Sequence, residues 1–182
     1  MAVWRVILTL SVTLLPTSGI VGVDASGFDR SHASKHYTKR AELTIQQLKV
    51  TLLVDAKVNT ILDLHMTTTR KHDSQIAPSL IKRNPESIEI LLGDKGYDDQ
   101  KIRRLARSHE VRPLIKHREF TSLHKAWNAR LNANLYGQRS QSETVNSTLK
   151  RKYGAFVRSR RWWKQFRELT IACLVHNVDR SL

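Results

Sequence analysis

Residues 136–150, YGQRSQSETVNSTLK, carry four chemically active side-chain types at helical spacing. On a helix turning about 100° per residue, Tyr136, Arg139, Glu143 and Lys150 fall in one stripe about 60° wide. Val145 and Leu149 lie on the opposite side, where they would seat the helix on a core. One face then presents a phenol, a guanidinium, a carboxylate and an ammonium together. A carboxylate is a hard oxygen ligand for Mg²⁺ or Mn²⁺, and Arg and Lys hold phosphate oxygens. The set suits phosphate chemistry. An ordinary solvated face laced by charge pairs one turn apart has the same composition.

Two further carboxylates stand where buried strands are predicted to end. Residues 20–24, IVGVD, read as a strand closing on Asp24, and residues 87–92, SIEILL, deliver Gly93 and Asp94. If these strands are parallel neighbours, both acids emerge at the crevice where open α/β sheets bind ligands. Glu143 would approach from its helix. Three acids held close repel one another and stay ionised only with cations between them. Two divalent ions about 4 Å apart resolve that repulsion. One activates a water or hydroxyl nucleophile, and the other stabilises the leaving oxygen in phosphoryl transfer.

The spacing of Tyr136, Arg139, Glu143 and Lys150, with VGVDASGFDRSHASKHYTKR around Asp24 and LLGDKGYDD around Asp94, resembles insertion-sequence transposases of the DDE type. Within them it is similar to the group marked by a Tyr-Arg-Glu-Lys signature. The three blocks stand in the right order and cover nearly the whole chain. The resemblance implies an RNase H-like α/β fold, a mixed five-stranded sheet flanked by helices. It implies Asp24, Asp94 and Glu143 as the catalytic triad and as ligands of two Mg²⁺ ions, with Mn²⁺ as substitute. Asp24 would bridge, while Asp94 and Glu143 each favour one ion. Arg139 and Lys150 would hold DNA phosphates, and Tyr136 would pack against the backbone or a base. The implied activity is cleavage and strand transfer on double-stranded DNA, at element ends and target. A homodimer would serve synapsis, and the expected location is cytoplasmic and nucleoid-associated.

Family members usually carry a helical DNA-recognition region before the first catalytic Asp, and here 23 residues precede Asp24. The expectation is therefore a catalytic domain over residues 20–182 behind an apolar segment, residues 1–19, left from a preceding helix. That leaves an alternative open: a truncated, catalytically silent DNA-binding remnant that modulates a full-length transposase. A general RNase H-like nuclease or resolvase is another.

Charge agrees with a polyanionic partner. Lys and Arg number 31 against 16 acids, giving a net +15 and a pI near 10.4, which favours nucleic acid. Residues 101–167 hold 18 basic residues and three acidic ones, Glu110, Glu119 and Glu143. Within them, Lys116 and Arg118 read as a DNA-facing loop. The paired Arg160-Arg161 and Trp162-Trp163 could clamp phosphates or stack on bases, with Trp163 expected in the core and Trp162 at the surface. A lone Cys173 excludes an intrachain disulfide and reads as a small buried hydrophobe. Eight histidines are scattered without zinc spacing. Residues 1–16 superficially resemble a secretory leader, but Ser11 and Thr13 interrupt the run and no A-x-A site follows. A helix or strand packed on the domain is expected instead. The run is shorter than the roughly 20 residues of a membrane span, so no membrane partner is expected.

The elements that must position these residues follow from periodicity. After the first strand comes a Gly/Ser turn, then a basic, His-containing loop at residues 29–40, with Asp29 suited to turn formation. Residues 43–54 and 58–68 form a hairpin about Asp55, Ala56 and Lys57, its second arm alternating as a half-buried strand. Asp73 or Ser74 would cap a helix reaching about Asn84. Asp98 and Asp99 read as the start of a helix reaching His109, carrying Ile102 and Leu105 inward. Residues 111–115 are a short strand, and residues 116–134 a basic connection. The site helix spans 139–152, and a last helix 160–178 turns Trp163, Phe166, Leu169, Ile171, Leu174 and Val175 toward the core. Gly96 is expected to let the backbone turn tightly after Asp94.

Overall fold

Five strands carry the architecture: β1 (Ile20–Asp29), β2 (Gln47–Asp55), β3 (Ile61–Thr67), β4 (Ile90–Gly93) and β5 (Arg112–Ile115). In the computed structural model, which describes residues 2–30, 47–68 and 71–182, they form one mixed sheet in the order β3-β2-β1-β4-β5. The pairs β1–β2 and β2–β3 are antiparallel, and β1–β4 and β4–β5 are parallel. The expected α/β architecture, a mixed five-stranded sheet flanked by helices, is the one observed.

Helices cover both faces. On one face lie α1 (Ala2–Val12), α6 (Ser140–Tyr153) and α7 (Trp162–Ser181), while α2 (Asp73–Arg83) and α3 (Gln100–Ser108) cover the other. Two short helices, α4 (Ser122–Ala129) and α5 (Ala133–Gly137), occupy what the sequence presents only as a basic connection. Leu8, Leu52, Leu64, Val145, Leu149, Phe166 and Cys173 share the first core. Val21, Val23, Leu53, Ile76, Leu80, Leu91, Tyr97 and Ile102 share the second. Fully burying each such aliphatic side chain contributes about 1.5–3 kcal/mol. Burial pushes the Cys173 thiol up to about 12, as suits a core hydrophobe.

The expected packing of the N-terminal segment is observed over Ala2–Val12: α1 lies along α7 and over β3. No described helix is long and apolar enough to cross a membrane.

Several expectations are corrected. β1 does not end at Asp24. It runs on through Ser26 and Gly27 to Asp29, because β2 pairs with it residue for residue from Val21↔Asp55 to Asp29↔Gln47. Asp29 therefore closes a strand, accepting a bond from Gln47 Nε2. The hairpin is present, and buried Asp55 accepts from Lys57 and Val58 N–H to hold its turn. Its second arm is buried on both faces, Asp63 and Thr67 included, because helices cover the sheet on each side. The expected start of the first arm, residues 43–46, and most of the basic loop lie outside the described residues. Helix α2 is capped by His72, whose Nδ1 accepts from Ser74 N–H, leaving Asp73 free to pair with Lys49 at 2.6 Å. In α7 the tryptophans exchange places: Trp162 packs on the core and Trp163 is 48% exposed. Ile171 and Val175 are also exposed.

Candidate active site

The parallel register sets two carboxylates side by side. Ile20, Val21 and Gly22 pair with Ile90, Leu91 and Leu92, so Asp24 and Asp94 each stand two residues beyond the last pair. There β1 continues against β2 alone, while β4 turns away through a 3₁₀ turn at Lys95–Tyr97. The split between a strand that stays and one that leaves opens the crevice expected at a topological switch point. Asp94 caps that turn: its Oδ1 accepts from Gly96 N–H at 2.7 Å. A Cβ on Gly96 would lie 2.8 Å from the same oxygen. A side chain there would displace the Asp94 carboxylate, so close approach rather than an unusual backbone angle favours glycine.

Helix α6 closes the crevice from one face. Gly22 admits it, since a Cβ there would meet Ser142 Oγ at 3.1 Å. One buried stripe of Ser142, Val145, Asn146 and Leu149 packs α6 down. Asn146 is the site residue that the spacing argument missed. Its Nδ2 donates to Asp24 Oδ2 at 2.9 Å, while its Oδ1 is buried with no hydrogen-bond partner. A signal was present: Ser142 and Asn146 are polar residues inside an otherwise apolar i, i+3, i+4, i+7 stripe.

Burial raises the Asp24 carboxyl above its ordinary value. The Glu143 charge adds to this, while bonds from Asn146 and Ala25 N–H and the Arg139 charge oppose it. Tyr97 is buried beside the acids, with its Oη unpartnered. Burial pushes its phenol up, and the charges of Asp73, Asp24 and Asp94 push further.

Glu143 sits in the first turn of α6, where an acid favours the helix dipole. Its Oε1 accepts from Arg139 Nη1 at 2.6 Å, and its side chain is 52% exposed. Burial works to lower Arg139, but the bond to Glu143 and the charges of Glu143, Tyr136 and Asp94 outweigh it and raise it. Tyr136 is not on the same helix as the other three. It belongs to α5, which ends at Gly137 before α6 begins. Burial raises its phenol, and Lys116 Nζ lies 4.8 Å from its ring centre.

Lys150 stands apart in the last turn of α6, 5.4 Å from the Phe28 ring centre. That is roughly 10 Å along the helix from Glu143. Arg118 is committed within the chain: its Nε donates to Lys95 O at 3.0 Å and its Nη2 meets His72 Nε2. Asp99 caps α3 as expected, but Asp98 does not. Asp98 instead binds Arg103 at 2.7 Å, His117 at 3.2 Å and Arg118 N–H at 2.8 Å.

Among the described residues no three His, Cys, Asp or Glu side chains form a metal-sized cluster. Asp24 and Asp94 nevertheless fit a hard divalent cation. They are oxygen donors at equal register, Asp24 on β1 and Asp94 just past the end of β4, and the orphaned Asn146 Oδ1 is a third oxygen on the helix above. Glu143 fits only after leaving Arg139. The arrangement thus joins a carboxylate-lined crevice to a rim of cations.

A family model described as transposase DDE domain matches residues 16–178. No curated protein matches the chain.

Proposed function

The chain belongs to the family of transposase DDE domains, whose fold is RNase H-like, and from that premise we propose that it cuts and rejoins DNA by metal-dependent phosphoryl transfer. The observation that supports this reading is the equal register of Asp24 on β1 and Asp94 just past its parallel neighbour β4, with Glu143 and Asn146 on the helix above.

Asp24 and Asp94 would hold divalent cations, Mg²⁺ or Mn²⁺, and Glu143 would complete the set. Such cations activate a nucleophilic oxygen and stabilise the departing one. The residues of the chain orient that chemistry. Asn146 fixes the direction of the Asp24 carboxylate, and Gly96 N–H fixes Asp94. Arg139 and Glu143 neutralise each other in the free protein. A DNA phosphate taking Arg139 would release Glu143 to the crevice, so substrate and ligand set assemble together. Lys116 and Tyr136 form one rim, and Lys150 extends the other toward the duplex.

In the first step water adds to phosphorus at the element end, and the P–O3′ bond breaks to leave a 3′-hydroxyl. In the second, that hydroxyl oxygen attacks a target phosphodiester, and one P–O bond forms as another breaks. No bond between protein and DNA is needed. Cleavage should therefore leave 3′ ends that a polymerase extends, with no protein attached after denaturation. Ends that a polymerase cannot extend, or protein retained on them, would contradict the reading.

A second reading rests on the same ion pair. Glu143 held by Arg139 and half exposed to solvent fits a catalytically silent chain that binds DNA and modulates a full-length transposase. It expects binding without nicks.

A further inference from the structure

The loop before α7 and its first turns carry cations that the crevice does not use. Residues 158–167 include Arg158, Arg160, Arg161, Lys164 and Arg167 and no acid. None of the five forms an ion pair among the described residues. The next acid, Glu168, is occupied by backbone, accepting from Arg158 N–H at 2.8 Å and Ser159 N–H at 2.9 Å.

Aromatic rings meet three of the five instead, Arg158 lying 6.0 Å from the Phe156 ring centre. Arg167 lies 5.9 Å from the Trp4 ring centre and 5.7 Å from that of Trp163, and Lys164 lies 5.4 Å from Trp163. Trp163 is half exposed among them. The first turn of α7 holds no acid, and its N-cap, Arg161, makes no side-chain capping bond. Cations at the positive end of a 20-residue helix are unfavourable. An anion seated there would relieve both the repulsion and the uncapped turn.

We propose that this face is a second DNA-binding surface, separate from the catalytic crevice, that holds the phosphate backbone of duplex DNA with Trp163 at its centre. Helices α1 and α7 rest on β3, and the loop before α7 meets β1 at its far end, where Asp29 bonds Ala155 and Val157, five residues beyond Asp24 and roughly 16 Å along the strand. A membrane surface fits less well. Helix α1 exposes Val3, Val6 and Leu10 nearby, but its one cation, Arg5, faces Asp63 and the Phe166 ring. It therefore lacks the basic flank of a membrane-surface helix. The proposal takes from the proposed function only that DNA is the substrate.

The test uses the full chain carrying Asp24→Asn, without divalent metal, so that binding is read apart from cutting. Anisotropy of a labelled duplex is followed across a salt series, with and without Arg160→Ser, Arg161→Ser and Lys164→Ser together. Affinity should fall at least tenfold, and the slope of log K against log salt should shrink by about 2–3, close to one for each phosphate no longer neutralised. Duplex binding should also quench tryptophan emission, and Trp163→Phe should remove that quench. Unchanged affinity and slope would overturn the proposal. So would a triple variant that keeps duplex binding but loses binding to phosphatidylcholine–phosphatidylserine vesicles. Metal-dependent nicking by the parent chain is scored separately: nicking with an unchanged slope overturns this surface alone, and a reduced slope without nicking sustains it while overturning the catalytic reading.

Discussion

Asn146 donates its Nδ2 to Asp24 Oδ2 at 2.9 Å, while its own Oδ1 lies buried without a partner. The bond ties the second turn of α6 to β1 across 122 positions of sequence. It fixes one oxygen of the Asp24 carboxylate and leaves a buried amide oxygen unpartnered on the same side chain. Leucine at this position would keep the branching and heavy-atom count and remove both polar atoms. Asn146→Leu should therefore fold, since losing an unsatisfied buried acceptor offsets the lost bond. Its Mn²⁺ affinity, read by electron paramagnetic resonance, should fall about tenfold or more. An unchanged Mn²⁺ affinity would reduce Asn146 to a packing residue.

Asp24 carries its charge at a cost to the metal-free fold. Burial raises its carboxyl above the ordinary value of 3.8, so the folded chain holds that proton more tightly than the unfolded one. The associated stability is full below the ordinary value and is lost as pH rises through the raised one. Asp24→Asn removes the titration. Its Tm without metal should exceed the parent's at neutral pH and converge with it in acid. Mn²⁺ should then raise the Tm of the parent and not of the variant. Parallel Tm curves across pH would contradict the assignment.

Asp98 titrates with the opposite sign. Burial works to raise it, but the Arg103 bond, the Arg118 N–H and the charges of Arg103 and His117 outweigh this and hold it below the usual carboxylate range. Its contribution is present above the ordinary value and is lost as pH falls through the lowered one. Asp98→Ala leaves buried Arg103 with Ile115 O and the His117 ring in place of a charge partner. The expected cost is about 3 kcal/mol in urea unfolding, the scale for breaking a buried pair from one side. A cost below about 1 kcal/mol would place Asp98 among surface ion pairs. Asp98→Asn should flatten the acid limb of stability.

The sheet was legible because periodicity and strand-end carboxylates report it directly. IVGVD and SIEILL read as buried strands, and their cores are parallel neighbours, although Ser87 closes a 3₁₀ turn and β4 begins only at Ile90. The same pattern misplaced the end of β1, because Ser26 and Gly27 look like a turn until β2 is known to pair with them. Tyr136 shares a helical phase with Arg139, yet Gly137 and Gln138 close α5 between them. Phase alone does not report such a break. Trp162 and Trp163 are chemically equal, and only the packing of α7 against α1 decides which one is buried. Asp98 was hidden by its neighbour, since either aspartate could cap α3 and only one does. The Glu143–Arg139 pair was partly visible as an i, i+4 spacing. Its consequence, a candidate catalytic acid turned to a cation, emerges only from the fold.

The central claim is that Asp24, Asp94 and Glu143 form a metal-dependent DNA-cutting centre. The most direct test incubates purified chain with supercoiled plasmid in Mn²⁺ or Mg²⁺ at low salt, where phosphate-driven binding is strong. Asp24→Asn, Asp94→Asn and Glu143→Gln run beside it, with a chelator control. The account expects nicking by the parent alone, abolished by chelation, while all four proteins bind DNA. Nicking by the parent and all three variants alike would contradict it.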